Sequence, residues 1–268
     1  MTSIYITTTK RDYCYAKALI ASIESCVNPA PIFVIPDDDY RGETMFGHAV
    51  FRPSDPRALK LDGYYKKLRV FWGPAERFIH MDADQLVLRD LMPYLERVSS
   101  LPAPFFLATR RTQGPSVPDD GTEEQLRQVY EGRAGQIEWL GRFDPSFRWQ
   151  DAPTFNSGEF AATKDAIDPE ELLDTFERGI RFYVDHGLNN MLLSRRPGPF
   201  MSDQGFLIYF LASRTPPVRI QWMDNLYIWG GVNPASLTIQ APGDRSSPLE
   251  NVVVHWAGGT GGRPGPLP

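Results

Sequence analysis

Phe78-Ile79-His80-Met81-Asp82-Ala83-Asp84-Gln85-Leu86-Val87-Leu88-Arg89-Asp90-Leu91 is an apolar run, broken by two carboxylates one residue apart, that then resumes. A short apolar run of this kind is a buried strand. In an extended chain residues i and i+2 face one side, so the spacing predicts Asp82 and Asp84 side by side at a strand end. Two such carboxylates repel unless a cation lies between them, and hard oxygen ligands suit Mg²⁺ or Mn²⁺. The alternative is a polar turn that merely closes the strand, where aspartate is favoured for backbone reasons. His80 points opposite to Ile79 and Met81 and is expected in the core.

Outward from this stretch the chain alternates strands and helices. Residues 3–9 are β-branched and alternating, a strand. Residues 13–25 carry a helical stripe of Tyr15, Ala18, Leu19, Ser22 and Ile23. Residues 31–36 form a second strand, closed by Asp37-Asp38-Asp39, and 48–52 a possible third. Residues 63–72 read as a helix with basic Lys66, Lys67 and Arg69, stopped at Gly73-Pro74. This order predicts an α/β fold with a mostly parallel sheet under helices and a ligand site at the carboxyl ends of the strands. Asp82 and Asp84 fall at such an end.

Downstream, a strand is expected at 105–109. The polar segment 110–151 then reads as an insertion, either a lid over the site or surface decoration. Residues 155–160 return to the sheet. A helix over 169–186 opens with proline just inside its start and acidic residues in its first turn. Another runs through 205–212 behind Ser202-Asp203-Gln204, and strands are expected at 218–222 and 252–256. The Gly- and Pro-rich tail 258–268 is expected to be flexible. The whole, 1–268, reads as one domain.

Composition narrows the function. The 268 residues are 42% hydrophobic, enough for a sizeable core, and the net charge of −5 leaves no basic footprint for nucleic acid. An acidic protein that handles phosphates needs a metal or a few local cations. The two cysteines, Cys14 and Cys26, share one apolar-periodic segment and read as free buried thiols, which favours a reducing compartment. No apolar run reaches the ~18 residues of a membrane span, and no basic, then apolar leader opens the chain. A cytoplasmic protein is expected, with peripheral membrane contact left open.

Several stations in series resemble one family. They are Thr7-Thr8-Thr9 with Tyr15-Ala16-Lys17, Tyr65-Lys66-Lys67-Leu68, Met81-Asp82-Ala83-Asp84, Phe155-Asn156-Ser157-Gly158, Asp203-Gln204-Gly205, and Val254-His255-Trp256 before Gly258. In this order they resemble the retaining glycosyltransferases of the GT-A fold, family 8, the glycogenin and bacterial galactosyltransferase type. The resemblance implies a Rossmann-like nucleotide-diphospho-sugar transferase fold and transfer of a hexose from a UDP-sugar to a hydroxyl acceptor, with retention. The acceptor would be a glycan, a lipid-linked sugar or a small molecule. It also implies a metal, Mn²⁺ or Mg²⁺, held by Asp82, Asp84 and His255.

The remaining roles come from the same resemblance. Thr8 and Thr9 would read the base edge, Tyr15 would stack on the base, and Lys67 would face the diphosphate or sugar. Ala83 belongs to the nucleotide-sugar contact, and Asn156 and Ser157 would bond sugar hydroxyls. Asp203 and Gln204 would lie beside the anomeric carbon as sugar-binding and catalytic groups. From the residues alone, Tyr15 reads equally as a core aromatic, Lys67 as part of a solvated helix face, and Asp203 as a helix cap. The family's lysine after the histidine-glycine station is missing, and Arg263 stands as its replacement. An inverting transferase would need a carboxylate base, for which Asp151 or Glu159 is available. A sugar-1-phosphate nucleotidyltransferase is disfavoured, because the first strand leads into no Gly-rich phosphate loop. A non-catalytic carbohydrate-binding relative is the reading from another class.

Overall fold

The structure, a computed structural model, describes residues 1–26, 30–88, 90–112, 141–148, 152–153, 155–186, 203–214, 218–229 and 253–255. Strands β1 (Thr2–Thr7), β2 (Ile32–Ile35), β3 (Thr44–Met45), β4 (His48–Val50), β5 (Arg77–Asp82), β6 (Gln85–Val87), β7 (Phe106–Thr112), β8 (Glu159–Thr163), β9 (Ile220–Trp229) and β10 (Val253–His255) form one sheet. Its order is β3-β4-β2-β1-β5-β8-β7-β9-β10-β6 among the described residues. Strand β1 runs parallel to both β2 and β5, and β8 runs antiparallel to β5 and β7. This is the expected α/β architecture with a mixed, mostly parallel sheet.

Helices α1 (Tyr13–Cys26), α2 (Met92–Ser100), α3 (Pro169–Asp185) and α4 (Asp203–Ser213) pack on the sheet, joined by a ten-residue 3-10 helix, Gly63–Trp72. Two apolar layers result. One puts Ile4, Ile6, Ile79 and Met81 against α1 and α2; the other puts Tyr5, Phe78 and Phe160 against the 3-10 helix, α3 and α4. The alternation of β1 and β5 between those layers is the two-sided burial of a parallel strand. Helix α4 is buried over almost its whole length, which explains why its sequence shows no polar face. The Phe46-Gly47 hairpin between β3 and β4 has positive φ at both positions, 56° and 87°, as a two-residue hairpin turn requires.

Some expectations shift. The buried face of α1 is Ala16, Leu19, Ile20 and Ile23, rotated from the anticipated stripe because Ser22 is drawn to β6, where its Oγ accepts from Val87 N at 3.0 Å. Both cysteines are free, but neither is buried: Cys14 is exposed and Cys26 half-buried. The first strand ends at Thr7, so Thr8 and Thr9 lie just past it. The strand expected at 218–222 runs on to Trp229. Most of 110–151 and all of 258–268 lie outside the described residues. Among the described residues no helix is long and apolar enough to cross a membrane.

Candidate functional site

The register of the sheet sets the site. Thr7 of β1 pairs with Ile35 of β2 on one side and Asp82 of β5 on the other. Three parallel strands therefore stop in one row, and the residues just past their ends converge: Thr8-Thr9, Pro36-Asp37 and Ala83-Asp84. The antiparallel β8 begins at the same edge, where Asp82 N donates to Gly158 O at 2.8 Å. This delivers Asn156, Ser157 and Gly158 to the row. Strand β5 ends at Asp82, and Ala83-Asp84 form a turn before β6. The two half-buried carboxylates are thus carried by a strand end and its turn, not by one continuous extended strand.

Lys67 is the hub. Its Nζ lies 2.8 Å from Asp82 Oδ2, 2.8 Å from Asp203 Oδ2, and 3.3 Å from both the carbonyl oxygen and Oγ of Ser157. The residue is 3% exposed. Burial alone would drive off its proton, but Asp203 and Asp82 outweigh that and hold the ammonium above the ordinary lysine range. Lys67 is therefore no part of a solvated helix face. Its neighbours share this fate. Lys66 Nζ donates to Thr8 O at 3.1 Å and Asp37 Oδ1 at 2.5 Å, and Arg69 grips Asp38 through Nη1 at 2.5 Å and Nη2 at 3.0 Å. The Arg69 guanidinium hydrogen bond holds the Asp38 carboxyl below its usual range.

The 3-10 winding is what makes these placements possible. Asp62 caps it by accepting from Gly63 N at 2.6 Å, and Gly63 enters at a φ of 59°, which favours glycine. The tight helix then buries Lys66, Lys67 and Arg69 together under the carboxyl ends of β1, β2 and β5. A buried cation survives only when paired, and each has its carboxylate.

Asp203 opens α4, with its Oδ2 also accepting from Ser157 Oγ at 2.8 Å. Its carboxylate is turned to Lys67 and Ser157, which gives it more than a capping role. Gln204 comes next, half-buried. Asn156 Oδ1 accepts from Gly158 N at 2.7 Å, shaping the turn that presents Ser157. Thr8 is buried, and Thr9 Oγ1 donates to Asp12 Oδ2 at 2.7 Å. Tyr15 is half-buried on α1 and not among the core residues. His80 is fully buried, as expected, with Nε2 3.0 Å from Thr7 Oγ1 and 3.7 Å from Asp82 Oδ1. His48 sits on a short strand and His186 ends α3.

The metal set is partly described. Among the described residues no cluster of three or more His, Cys, Asp and Glu side chains converges on an ion position. The third expected ligand, His255, is described in its backbone only. That backbone pairs with Gln85, directly after Asp84. Two carboxylates with a strand-end histidine routed beside them fit a divalent cation in chemistry and in topology. Arg263 lies outside the described residues.

Glu159 is corrected as a candidate acceptor base. It is 1% exposed, on the α2 side of β8, beside Tyr94, and so is closed to an acceptor hydroxyl. Asp151 lies outside the described residues. Sequence reasoning passed over Lys66 and Asp37, which fix the end of β1. A run of three aspartates at a strand end, ahead of three cations on one short helix, was the available signal.

No protein-family model matches the chain, and no curated protein is detectably similar to it in sequence. Solved structures do match. The galactosyltransferase LgtC, solved with donor and acceptor sugar analogues, aligns at a TM-score of 0.52 and 12% identity over 97% of this chain and 88% of that one. The bifunctional glycosyltransferase WbbM in its apo form gives 0.51 and 11%, over 96% of this chain and 46% of its own. Mouse xyloside xylosyltransferase 1, apo form, gives 0.50 and 15%, over 96% and 98%. At such identities the likeness is one of fold, and the fold is GT-A.

Proposed function

We propose that the protein is a single-domain, metal-dependent glycosyltransferase that moves a hexose from a UDP-sugar to a hydroxyl acceptor with retention, as in family 8. One observation carries this reading. At the carboxyl edge of a GT-A sheet, Asp82, Ser157 and Asp203 are drawn within 2.8–3.3 Å of the Lys67 ammonium. Four polar groups from four separate elements meet where open α/β sheets bind their ligands.

Asp82, Asp84 and His255 would hold Mn²⁺ or Mg²⁺, which supplies Lewis-acid stabilisation of a departing diphosphate. The protein's own share is positioning and charge. Lys67 brings a positive charge to the site, buried so that water screens it little. Ser157 and Asn156 offer hydrogen bonds to sugar hydroxyls, and Thr8, Thr9 and Tyr15 offer a base-reading wall. Asp203 and Gln204 stand at the start of α4, beside Ser157, in position to meet the reacting end of a bound sugar. Arg263 would take the place of the family's diphosphate-holding lysine.

The test is a thermal-shift screen of UDP-, GDP- and TDP-sugars with and without Mn²⁺, since a ligand that binds only the native state raises the melting temperature. A UDP-sugar shift that needs Mn²⁺ is expected, together with slow hydrolysis of the same sugar. Proton NMR of the first-formed product then reads the anomeric coupling. A metal-independent shift, or binding without any turnover, would return the chain to a non-catalytic relative of the fold.

A further inference from the structure

The Lys67 ammonium has three N–H donors and four acceptors already around it: Asp82 Oδ2, Asp203 Oδ2, and the carbonyl and hydroxyl oxygens of Ser157. Its side chain is 4% exposed, so no hydration shell remains to be displaced. A lysine waiting for a diphosphate would keep donors turned to solvent. This one has committed all of them to the site itself.

We propose that Lys67 is a resident counter-ion: paired with Asp82, it opposes a bare divalent cation there and yields only to an incoming diphosphate. The inference deepens the reading above and rests on it, because it takes Asp82 as a cation ligand. Two like charges sharing one carboxylate repel, and burial strengthens that repulsion. A diphosphate placed between them offsets it by giving the ammonium new oxygens. Asp203 is provided for when Lys67 turns away, since Ser157 Oγ still donates to it at 2.8 Å. His80 Nε2, 3.7 Å from Asp82 Oδ1, stands behind the other carboxylate oxygen. Cation and nucleotide binding are thereby coupled through one side chain, and by linkage each raises the affinity of the other. Without the lysine charge, Asp82 and Asp203 form an acidic pocket that attracts a cation unaided.

The experiment titrates the full chain with Mn²⁺ alone, and then with saturating UDP, monitoring the EPR signal of the unbound ion. Lys67→Met and Lys67→Gln remove the charge, while Lys67→Arg keeps it. The neutral variants are expected to bind Mn²⁺ alone at least tenfold tighter than the parent, and Lys67→Arg within about twofold of it. The ratio of Mn²⁺ affinities with and without UDP is expected to fall tenfold or more in the neutral variants. Neutral variants that bind Mn²⁺ alone no tighter than the parent overturn the proposal. So does the absence of a cooperative thermal transition in both, which would make Lys67 a structural counter-ion only. If the parent chain fails to bind Mn²⁺ even with UDP, the donor-site reading fails first. If it binds and only the neutral variants disappoint, this inference fails alone.

Discussion

The backbone of His255 pairs with that of Gln85, the residue immediately after Asp84. Strand β6 is only three residues long, and one of its partners is a strand from the far end of the chain. So short a strand gains little from its own ladder. Gln85 Nε2 also donates to Gly158 O at 3.1 Å, tying this junction to the start of β8. The pairing brings the backbone of residue 255 to the acidic turn. His255→Ala and Asp84→Asn are each expected to weaken Mn²⁺-supported UDP binding by about tenfold or more, leaving metal-free UDP binding unchanged. Isothermal titration with and without Mn²⁺ measures this. Equal losses in both conditions would mean that neither residue serves a metal.

Asp203 is held by both Lys67 and Ser157, so it ties the start of α4 to the turn before β8. Asp203→Asn keeps the size and one acceptor oxygen but removes the charge opposite a buried ammonium. A loss of about 1–3 kcal/mol is expected, because Lys67 retains Asp82 as its partner. If Asp203 acts at the anomeric carbon, turnover should fall about a hundredfold or more beyond what the instability explains. Gln204→Ala, with no ion pair to break, should lower turnover at nearly unchanged melting temperature. Urea unfolding and single-turnover transfer assays separate the two effects.

A third expectation concerns the support beneath the 3-10 helix. A Cβ at Gly73 would lie 2.1 Å from Tyr5 Oη and 2.9 Å from Val70 O. Tyr5 has nowhere to go: it is fully buried, stacked on Phe33 at 5.1 Å and edge-on to Phe51 and Phe78. Gly73→Ala is expected to destabilise the protein by about 1–3 kcal/mol. The same clash pushes on the helix that carries Lys67, so UDP affinity with Mn²⁺ should fall too. Gly73→Ala in a Tyr5→Phe background, which removes the worst contact but leaves the ring carbon at 2.7 Å and Val70 O at 2.9 Å, should recover part of both. No recovery would place the strain elsewhere.

The α/β order and the acidic turn were legible because both rest on local pattern. The apolar runs at 78–81 and 32–35 are strands on either side of β1, and Asp82-Ala83-Asp84 lies where a parallel sheet binds its ligands. Lys66, Lys67 and Arg69 were harder to read. Three cations within four residues look solvated, and nothing local says that each meets a carboxylate from another element. Asp37 and Asp38 lie about thirty residues upstream and Asp203 far downstream. Long-range pairing of this sort leaves no periodic signature. The Asp82–Asp84 geometry is hidden for a related reason: strand and turn alternate in sequence alike, and only the ladder shows where β5 stops. Glu159 looked available as a base because a charged residue is rarely fully buried.

Glu159 is the exception to that rule, and its burial has a measurable consequence. The carboxyl lies on the α2 side of β8, facing the Tyr94 hydroxyl. Burial outweighs the hydrogen bond from Tyr94 and pushes the Glu159 pKa up from 4.5 to about 8. At neutral pH the native protein therefore keeps a proton that the unfolded chain gives up. Where the native state binds more protons, stability falls as pH rises. The contribution is fully present below pH 4.5 and is lost progressively up to about pH 8. Glu159→Gln removes the titrating group while keeping its shape, and its amide offers Tyr94 a donor or an acceptor. Its melting temperature relative to the parent should accordingly rise by a few degrees between pH 5 and pH 8.5. Scanning calorimetry at the two pH values checks this, and a difference that does not change with pH would show that Glu159 is ionised in the folded protein.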